Sequence, residues 1–435
     1  MNRLLAMVVG CVACGGGGSG AGDAGPQRDA GPQHDARADA RADAGVAPPI
    51  EGGGMRGGSV AGELAVYVVD DIARTPIANA TVTIGMVTGA TGQDGRFVAS
   101  GVVGPQPILV TASGHVAQLW IGVAAREATI DLAPDPVVST MLPSVIVTFP
   151  GLLAGNDLAR PVASVFALDF ASSTADAPIV YPNNNVGTSV HLPRVTDVLG
   201  MGPLRSACSV FAWVTSPTDP TPLQVGLALG TTANTFAPLS AIDANTLVSA
   251  TIDYGTPPAG LTVERGVVGG ERPDGILPMA SDASLAPTSL KVLPAAAFGG
   301  STYALTARAG DGQTPGESIA LRHGLTGLAF AIDAWLDPPA NVSASHAAVS
   351  WDPLPLAQIV VVEVFDPTSM VGQRSLQIRV FDGSSAVTLP DGIVPAAAQK
   401  ATVTAIHGDL DLTDLEIDRD RAKIDAISSR TVDLP

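Results

Sequence analysis

The sequence predicts an all-β protein: tandem β-sandwich domains following a signal peptide and a disordered tether. Three observations predict it. The chain of 435 residues holds 48 Gly and 35 Pro, which punctuate it throughout. After residue 60, short runs of Val, Ile, Thr and Leu end at Gly, Pro, Asn or Asp, and amphipathic helical stretches are hard to find. Several runs alternate apolar and polar residues, the period of a strand with one face buried.

The first 13 residues form a leader. Arg3 supplies a positive start, Leu4–Val9 an apolar core, and small residues precede both Cys11 and Cys14. The apolar stretch is too short to span a bilayer, which takes about 20 residues. The arrangement resembles a bacterial lipoprotein leader. That resemblance implies export, cleavage before a cysteine and acylation of it, so the implied partner is a membrane reached through an N-terminal lipid. Val8-Val9-Gly10-Cys11 matches the lipobox pattern but leaves a short apolar core. Cleavage before Cys14 gives a core nearer the usual length of about 7–15 residues, with Cys11 three positions before the cut. The resemblance thus implies lipidation of Cys14, which the core length favours, or of Cys11; the competing reading is an ordinary signal peptide with chance cysteines.

Residues 14–60 read as the tether. Gly15–Gly20 is a glycine run, and Asp23–Gly45 is a degenerate repeat of Asp-Ala-Gly and Asp-Ala-Arg units. Such a segment has too little apolar surface to offset the entropy of ordering it. A flexible chain of this length spans about 35–40 Å, from roughly 5–6 Å times the square root of the residue number.

The net charge is −18, and nearly all of it lies beyond residue 60. An acidic body repels nucleic acid and anionic headgroups, which excludes nucleic acid as a partner. Cys208 is the only cysteine after Cys14. It sits in an apolar run and reads as a buried free thiol, so there is no disulfide framework.

Residues 61–133 carry strand candidates at Glu63–Val69, Ala80–Ile84, Arg96–Ala99, Pro107–Ala112 and Ala128–Leu132. In the last of these, Ile130 and Leu132 alternate with Thr129 and Asp131, the pattern of a half-buried strand. Thr91-Gly92-Gln93-Asp94-Gly95 is a tight turn, Asp94 acting as turn former. Together with Gly62-Glu63-Leu64, Val68-Val69-Asp70, Pro76–Val82 and Val110–His115, these residues resemble the carboxypeptidase regulatory-like (transthyretin-like) domain. The resemblance covers about 70 residues. It implies a seven-stranded sandwich that acts as stalk, spacer or protein-contact module and has no catalytic residues of its own. His115 reads as the cap of a strand end rather than a metal ligand.

Residues 134–337 show strand-like runs every 10–20 residues, among them Ala163–Phe170, Ala207–Val214, Leu261–Val268 and Ser301–Ala309. They suit a large sandwich or a small barrel of unknown type. Candidate ligand-binding residues are Asn184, within the polar loop Tyr181–Asn185, His191 with Arg194 nearby, Trp213 and Trp335. Aromatics with amide and charged side chains at strand ends suit a sugar or a peptide. The competing reading puts the tryptophans in the core and the Asn run in a turn. Asp333 beside Trp335 would need a second carboxylate to serve a glycosidase. There is no Gly-x-Ser-x-Gly elbow, His-Glu-x-x-His helix, phosphate loop or dinucleotide fingerprint. No catalytic residue, cofactor or metal site is expected.

Residues 338–435 show six short strands, and Val349-Ser350-Trp351-Asp352-Pro353 resembles the second strand of a fibronectin type III domain, which implies a core tryptophan. The corner tyrosine of that family is missing near Ala401. In the tail, acids alternating with Leu and Ile over Asp409–Asp418 suggest an edge strand. The functional expectation is an envelope lipoprotein acting as a non-catalytic scaffold, with an envelope protein or a glycan as partner. The rivals are a carbohydrate- or peptide-binding adhesion protein and a hydrolase with an unfamiliar site.

Overall fold

A computed structural model describes residues 47–135, 144–151, 158–165, 168, 179–180, 188–191, 196–197, 199–201, 207–216, 218, 222–282, 288–310, 316–366, 373–394 and 398–435. Strands dominate. Helix among the described residues is limited to single turns, at Ala295–Phe298 and Ile417–Asp420 in α form. No described helix is long and apolar enough to cross a membrane.

The first lobe is a sandwich of eight strands: β1 Gly54–Ser59, β2 Ala61–Asp70, β3 Thr81–Ile84, β4 Val87–Ala90, β5 Arg96–Val103, β6 Gln106–Thr111, β7 Ala117–Val123 and β8 Ala125–Leu132. One sheet runs β1-β8-β2-β5, with the two-residue strand Leu415–Glu416 added outside β1. The facing layer runs β7-β6-β3-β4. Leu64, Val66 and Ile130 from the first sheet meet Val82, Ile108 and Trp120 from the second in one core. Each such side chain contributes roughly 1.5–3 kcal/mol on burial. The Trp120 ring packs edge-on against Phe381 at 5.5 Å, and its Nε1 donates to Gln118 Oε1 at 2.9 Å.

The β7-β6-β3-β4 layer is not a separate sheet. It forms one end of a twelve-stranded sheet that continues through Gln373–Val380, Ile359–Asp366, Lys400–Gly408, Ile424–Asp433, Gly316–Leu325, Tyr303–Gly310 and Thr262–Arg272 to Gly275–Asp282. Two joints carry it across the expected domain limits. β7 pairs in parallel with Gln373–Val380, from Ala117 opposite Leu376 to Ile121 opposite Val380. Gly316–Leu325 pairs antiparallel with Ile424–Asp433. The segments 61–133, 134–337 and 338–435 are therefore bonded through one sheet, and Pro49–Pro435 forms one compact unit.

In the central segment a five-stranded sheet, whose middle strand is Ala207–Thr215, packs Phe211 and Val225 against Val268 and Leu277 of the long sheet. Its other face covers Val145 and Val147. Cys208 lies there, buried and in no disulfide, as expected. Trp351 is 5% exposed and fills the core of the C-terminal segment.

Four expectations are corrected. First, the tether does not reach residue 60. Gly54–Ser59 is a strand paired with β8, and the turn before it is fixed by Ile50 N–H donating to Thr129 Oγ1 at 2.9 Å. Second, β8 is buried on both faces toward its end: Thr129 is 1% and Asp131 9% exposed. The segment 49–54 covers the face that alternation assigned to solvent. Third, the tail is not an edge strand over Asp409–Asp418. It makes turns, the short strand Leu415–Glu416 and a helical turn, then enters the interior of the long sheet as Ile424–Asp433. Fourth, a strand runs over Leu158–Ala163, ahead of the one expected at Ala163–Phe170, and its residues match Val210–Thr215 across the ladder; residues 166, 167, 169 and 170 of the expected strand lie outside the described residues.

Candidate functional site

Strand Thr262–Arg272 turns through Pro273 and Asp274 into Gly275–Asp282, and the end of this hairpin is held by a polar network. Arg272 Nε donates to Asp274 Oδ1 and to Ser209 Oγ, both at 3.0 Å, and its guanidinium also donates to the Phe298 carbonyl. Ser209 Oγ donates to Asp274 Oδ2 at 2.6 Å. These bonds occupy the polar groups of the turn and stiffen it.

Next to this turn lies a cavity of about 320 Å³, lined by Glu271, Arg272, Ile276, His323, Arg419 and Ala422 among others. It joins the hairpin to strand Gly316–Leu325 and to the helical turn of the tail. Glu271 and His323 form a pair. His323 Nδ1 lies 2.8 Å from Glu271 Oε1, and the Gly324 N–H donates to Glu271 Oε2 at 3.0 Å. Burial pushes the Glu271 carboxyl up, but bonds from His323, Thr302 and Gly324 outweigh it and hold the group below its ordinary range. An ionised carboxylate only accepts, so Nδ1 carries the imidazole proton and the ring orientation is set. No hydroxyl or thiol among the described residues bonds His323.

The opposite wall is the tail. Arg419 Nε and Nη2 donate to Asp420 at 3.0 and 2.7 Å, and Nη2 also donates to the Asp414 carbonyl at 2.6 Å. Lys423 Nζ also pairs with Asp420, at Oδ1, 2.8 Å away. Burial raises the Asp420 carboxyl, and the bonds from Arg419, Lys423 and the Glu416 N–H bring it down to about 2.

A second polar cluster lies where the chain joins the lobe. Asp131 is bonded to Arg74, with Asp71 beside it. Burial pushes the Asp131 carboxyl up to about 7, against the attraction of Arg74 and with the repulsion of Asp71. Its Oδ1 has no hydrogen-bond partner among the described residues. The described residues contain no group of His, Cys, Asp and Glu side chains arranged for a metal ion.

The residues singled out from sequence fare differently. Cys11, Cys14 and Asn184 lie outside the described residues, as do Tyr181 and Arg194. The backbone of His191 closes strand Thr188–His191, but its side chain is outside the description. Trp213 and Trp335 are both half-buried against the central core, and the Trp335 Nε1 donates to the Tyr254 carbonyl at 2.8 Å. Asp333 pairs with Arg322 at 2.5 Å. His115 bonds Asp70 at 2.9 Å and Ser113 O at 3.0 Å, the capping role expected of it. Asp94 accepts from the Arg96 N–H at 3.1 Å, as a turn former does.

Sequence reasoning missed Glu271, His323 and Arg419. They are 52 and 96 positions apart along the chain, and no local motif links them. No protein-family model matches the chain, and no curated protein matches it.

Proposed function

We propose that the protein is a lipid-anchored protein of the cell envelope whose β body is a rigid, non-catalytic interaction scaffold held off the membrane by its tether. The observation that supports this best is the single sheet running through all three segments, with the first strand clasped by the tail at Leu415–Glu416. A body joined by strand pairing keeps its surfaces in fixed relation, which suits presentation of a contact face and not hinged closure around a substrate. The leader supplies the anchor, and several acyl chains on one cysteine hold firmly at about 0.8 kcal/mol per buried CH₂. The carboxypeptidase regulatory-like and fibronectin-like resemblances agree with a contact or spacer role.

The test is to replace Cys11 and Cys14 together by Ala and fractionate cells. The doubly substituted protein is expected in the soluble envelope fraction, while the parent stays with membranes through a high-salt wash. Retention of the substituted protein in the washed pellet would show that lipidation is not the anchor.

A further inference from the structure

The two ends of the first lobe differ in charge. Strand pairing brings four turns together at one end: β1 to β2 at Val60, β3 to β4 at Met86, β5 to β6 at Gly104 and β7 to β8 at Ala124. Backbone bonds tie these turns to one another and to β6. The Val60 N–H donates to the Ala124 carbonyl at 2.9 Å, the Gly104 N–H to the Val60 carbonyl at 3.3 Å and the Gly85 N–H to the Pro107 carbonyl at 3.0 Å. Residues 57–62, 84–88, 102–106 and 122–126 make the turns. They hold one charged side chain, Arg126, and no carboxylate, in a chain with 41 Asp and Glu. Met86 is fully exposed, Val103 is 73% and Val87 39% exposed. Asp382, beside Gly122, marks where the acidic surface resumes. The opposite end carries Asp70, Asp71, Asp94, Asp131 and Asp135. The described chain enters at that acidic end, where Ile50 bonds Thr129.

We infer that the acid-free end of the lobe rests on a lipid bilayer, with Met86, Val87 and Val103 entering its apolar zone. The inference rests on the reading that the chain is held at a membrane. On that reading residues 14–49 are the tether, and a flexible chain of 36 residues spans about 30–36 Å. Strand β2, with ten residues, is about 33 Å long at roughly 3.3 Å per residue. A tether as long as the lobe lets either end meet the lipid, so chemistry and not the point of entry decides. Exposed methyl and thioether groups gain by leaving water, whereas the carboxylates of the opposite end lose hydration. Three side chains at protruding turn tips fall well short of the roughly 800 Å² per partner of a standard protein interface. A bilayer demands no matching shape, and a tethered lobe meets it at high effective concentration, so a few apolar contacts suffice.

The test places an environment-sensitive fluorophore on one introduced thiol of the full-length chain, with Cys11→Ala and Cys14→Ala; Cys208 is buried. Met86→Cys and Val103→Cys mark the apolar end. Gln93→Cys, exposed in the turn at Asp94, marks the acidic end. Each protein is titrated with phosphatidylcholine vesicles containing a nitroxide-labelled lipid. Fluorescence from the Met86 and Val103 sites is expected to be quenched as lipid is added, and that from the Gln93 site is not. With Met86→Asp, half-maximal quenching at the Val103 site is expected to need about ten times more lipid, while the melting temperature stays that of the parent. No acylatable cysteine remains, so this result is independent of lipidation, which the cell fractionation above decides. Any contact made through the leader leaves both ends of the lobe within reach, and the difference between them is still read. No quenching at the Met86 and Val103 sites, equal quenching at the Gln93 site, or an unchanged titration in Met86→Asp would overturn the proposal. A spectral shift at the Met86 site without vesicles, in a chain that is dimeric in solution, would also overturn it and give this end to a second copy.

Discussion

Asp131 shows why a residue's place in a pattern does not fix its surroundings. In β8 it alternates with Ile130 and Leu132, as a solvent-facing residue would. The structure places it 9% exposed because a segment from far away in the chain lies over it. The consequence is a pH dependence with a definite sign. Burial, with Asp71 nearby and Arg74 opposing, raises the folded-state value to about 7, whereas the unfolded chain releases this proton near 4. The folded state then binds more protons between these limits. Stability from this group is full below about pH 4 and falls as pH rises toward 7, by about 1.4 kcal/mol per unit. Asp420 acts in the opposite sense. Its value, lowered to about 2, gives stability that is present above about pH 4 and lost as pH falls toward 2. Urea-unfolding midpoints measured from pH 3 to 8 should therefore peak near pH 4–5. Asp131→Asn should flatten the decline on the alkaline side and leave the acid side unchanged. An alkaline side equally steep in Asp131→Asn would mean that another group controls it.

At the scale of elements, the instructive one is Glu51–Gly54. Its three glycines continue the composition of the preceding segment, and composition alone reads them as linker. The geometry requires them. Gly54 has φ +144°, and a Cβ there would stand 2.0 Å from the Leu415 carbonyl oxygen, so the backbone must approach the tail more closely than any side chain permits. Gly58, four residues on, has φ +68° with nothing within 4 Å. Gly58→Ala should then cost only the left-handed strain, about 1 kcal/mol. Gly54→Ala should cost several times that by parting β1 from the tail. Amide exchange within Gly54–Ser59 and at Leu415–Glu416 separates the two: it should accelerate strongly in Gly54→Ala and hardly change in Gly58→Ala. Similar rates in both would show that the close approach is not what holds β1. Two of the strands that sequence reading missed, Ile424–Asp433 and β7, share a cause. Ile424–Asp433 enters the long sheet carrying buried Ser428 and Ser429, which bond Asp337 O and Glu317. β7 carries buried Gln118, which bonds the Asp131 carbonyl. Polar side chains satisfied by distant partners break the apolar pattern on which recognition of a strand depends. Where side chains are satisfied locally, as in the turn at Asp94, sequence and structure agree.

For the whole molecule, the all-β class was legible from Gly and Pro punctuation and from strand-length apolar runs, and most of the strands in residues 61–133 fall within a few residues of their expected positions. The connectivity was not legible. Pairing between β7 and Gln373–Val380 joins residues more than 250 positions apart, and no local propensity encodes such a partner. The cavity shares this property, since its walls come from the hairpin, the neighbouring strand and the tail. A chain that looks like three beads thus folds with its last strand in the interior of a sheet begun by the first lobe. The central claim, that the body is one mechanical unit suited to act as a scaffold, is tested most directly by differential scanning calorimetry of the full-length protein. A shared sheet predicts one transition for Pro49–Pro435, with calorimetric and van't Hoff enthalpies in agreement. Two or three separable transitions, with the first lobe melting independently of the tail, would contradict it and restore the picture of beads on a string.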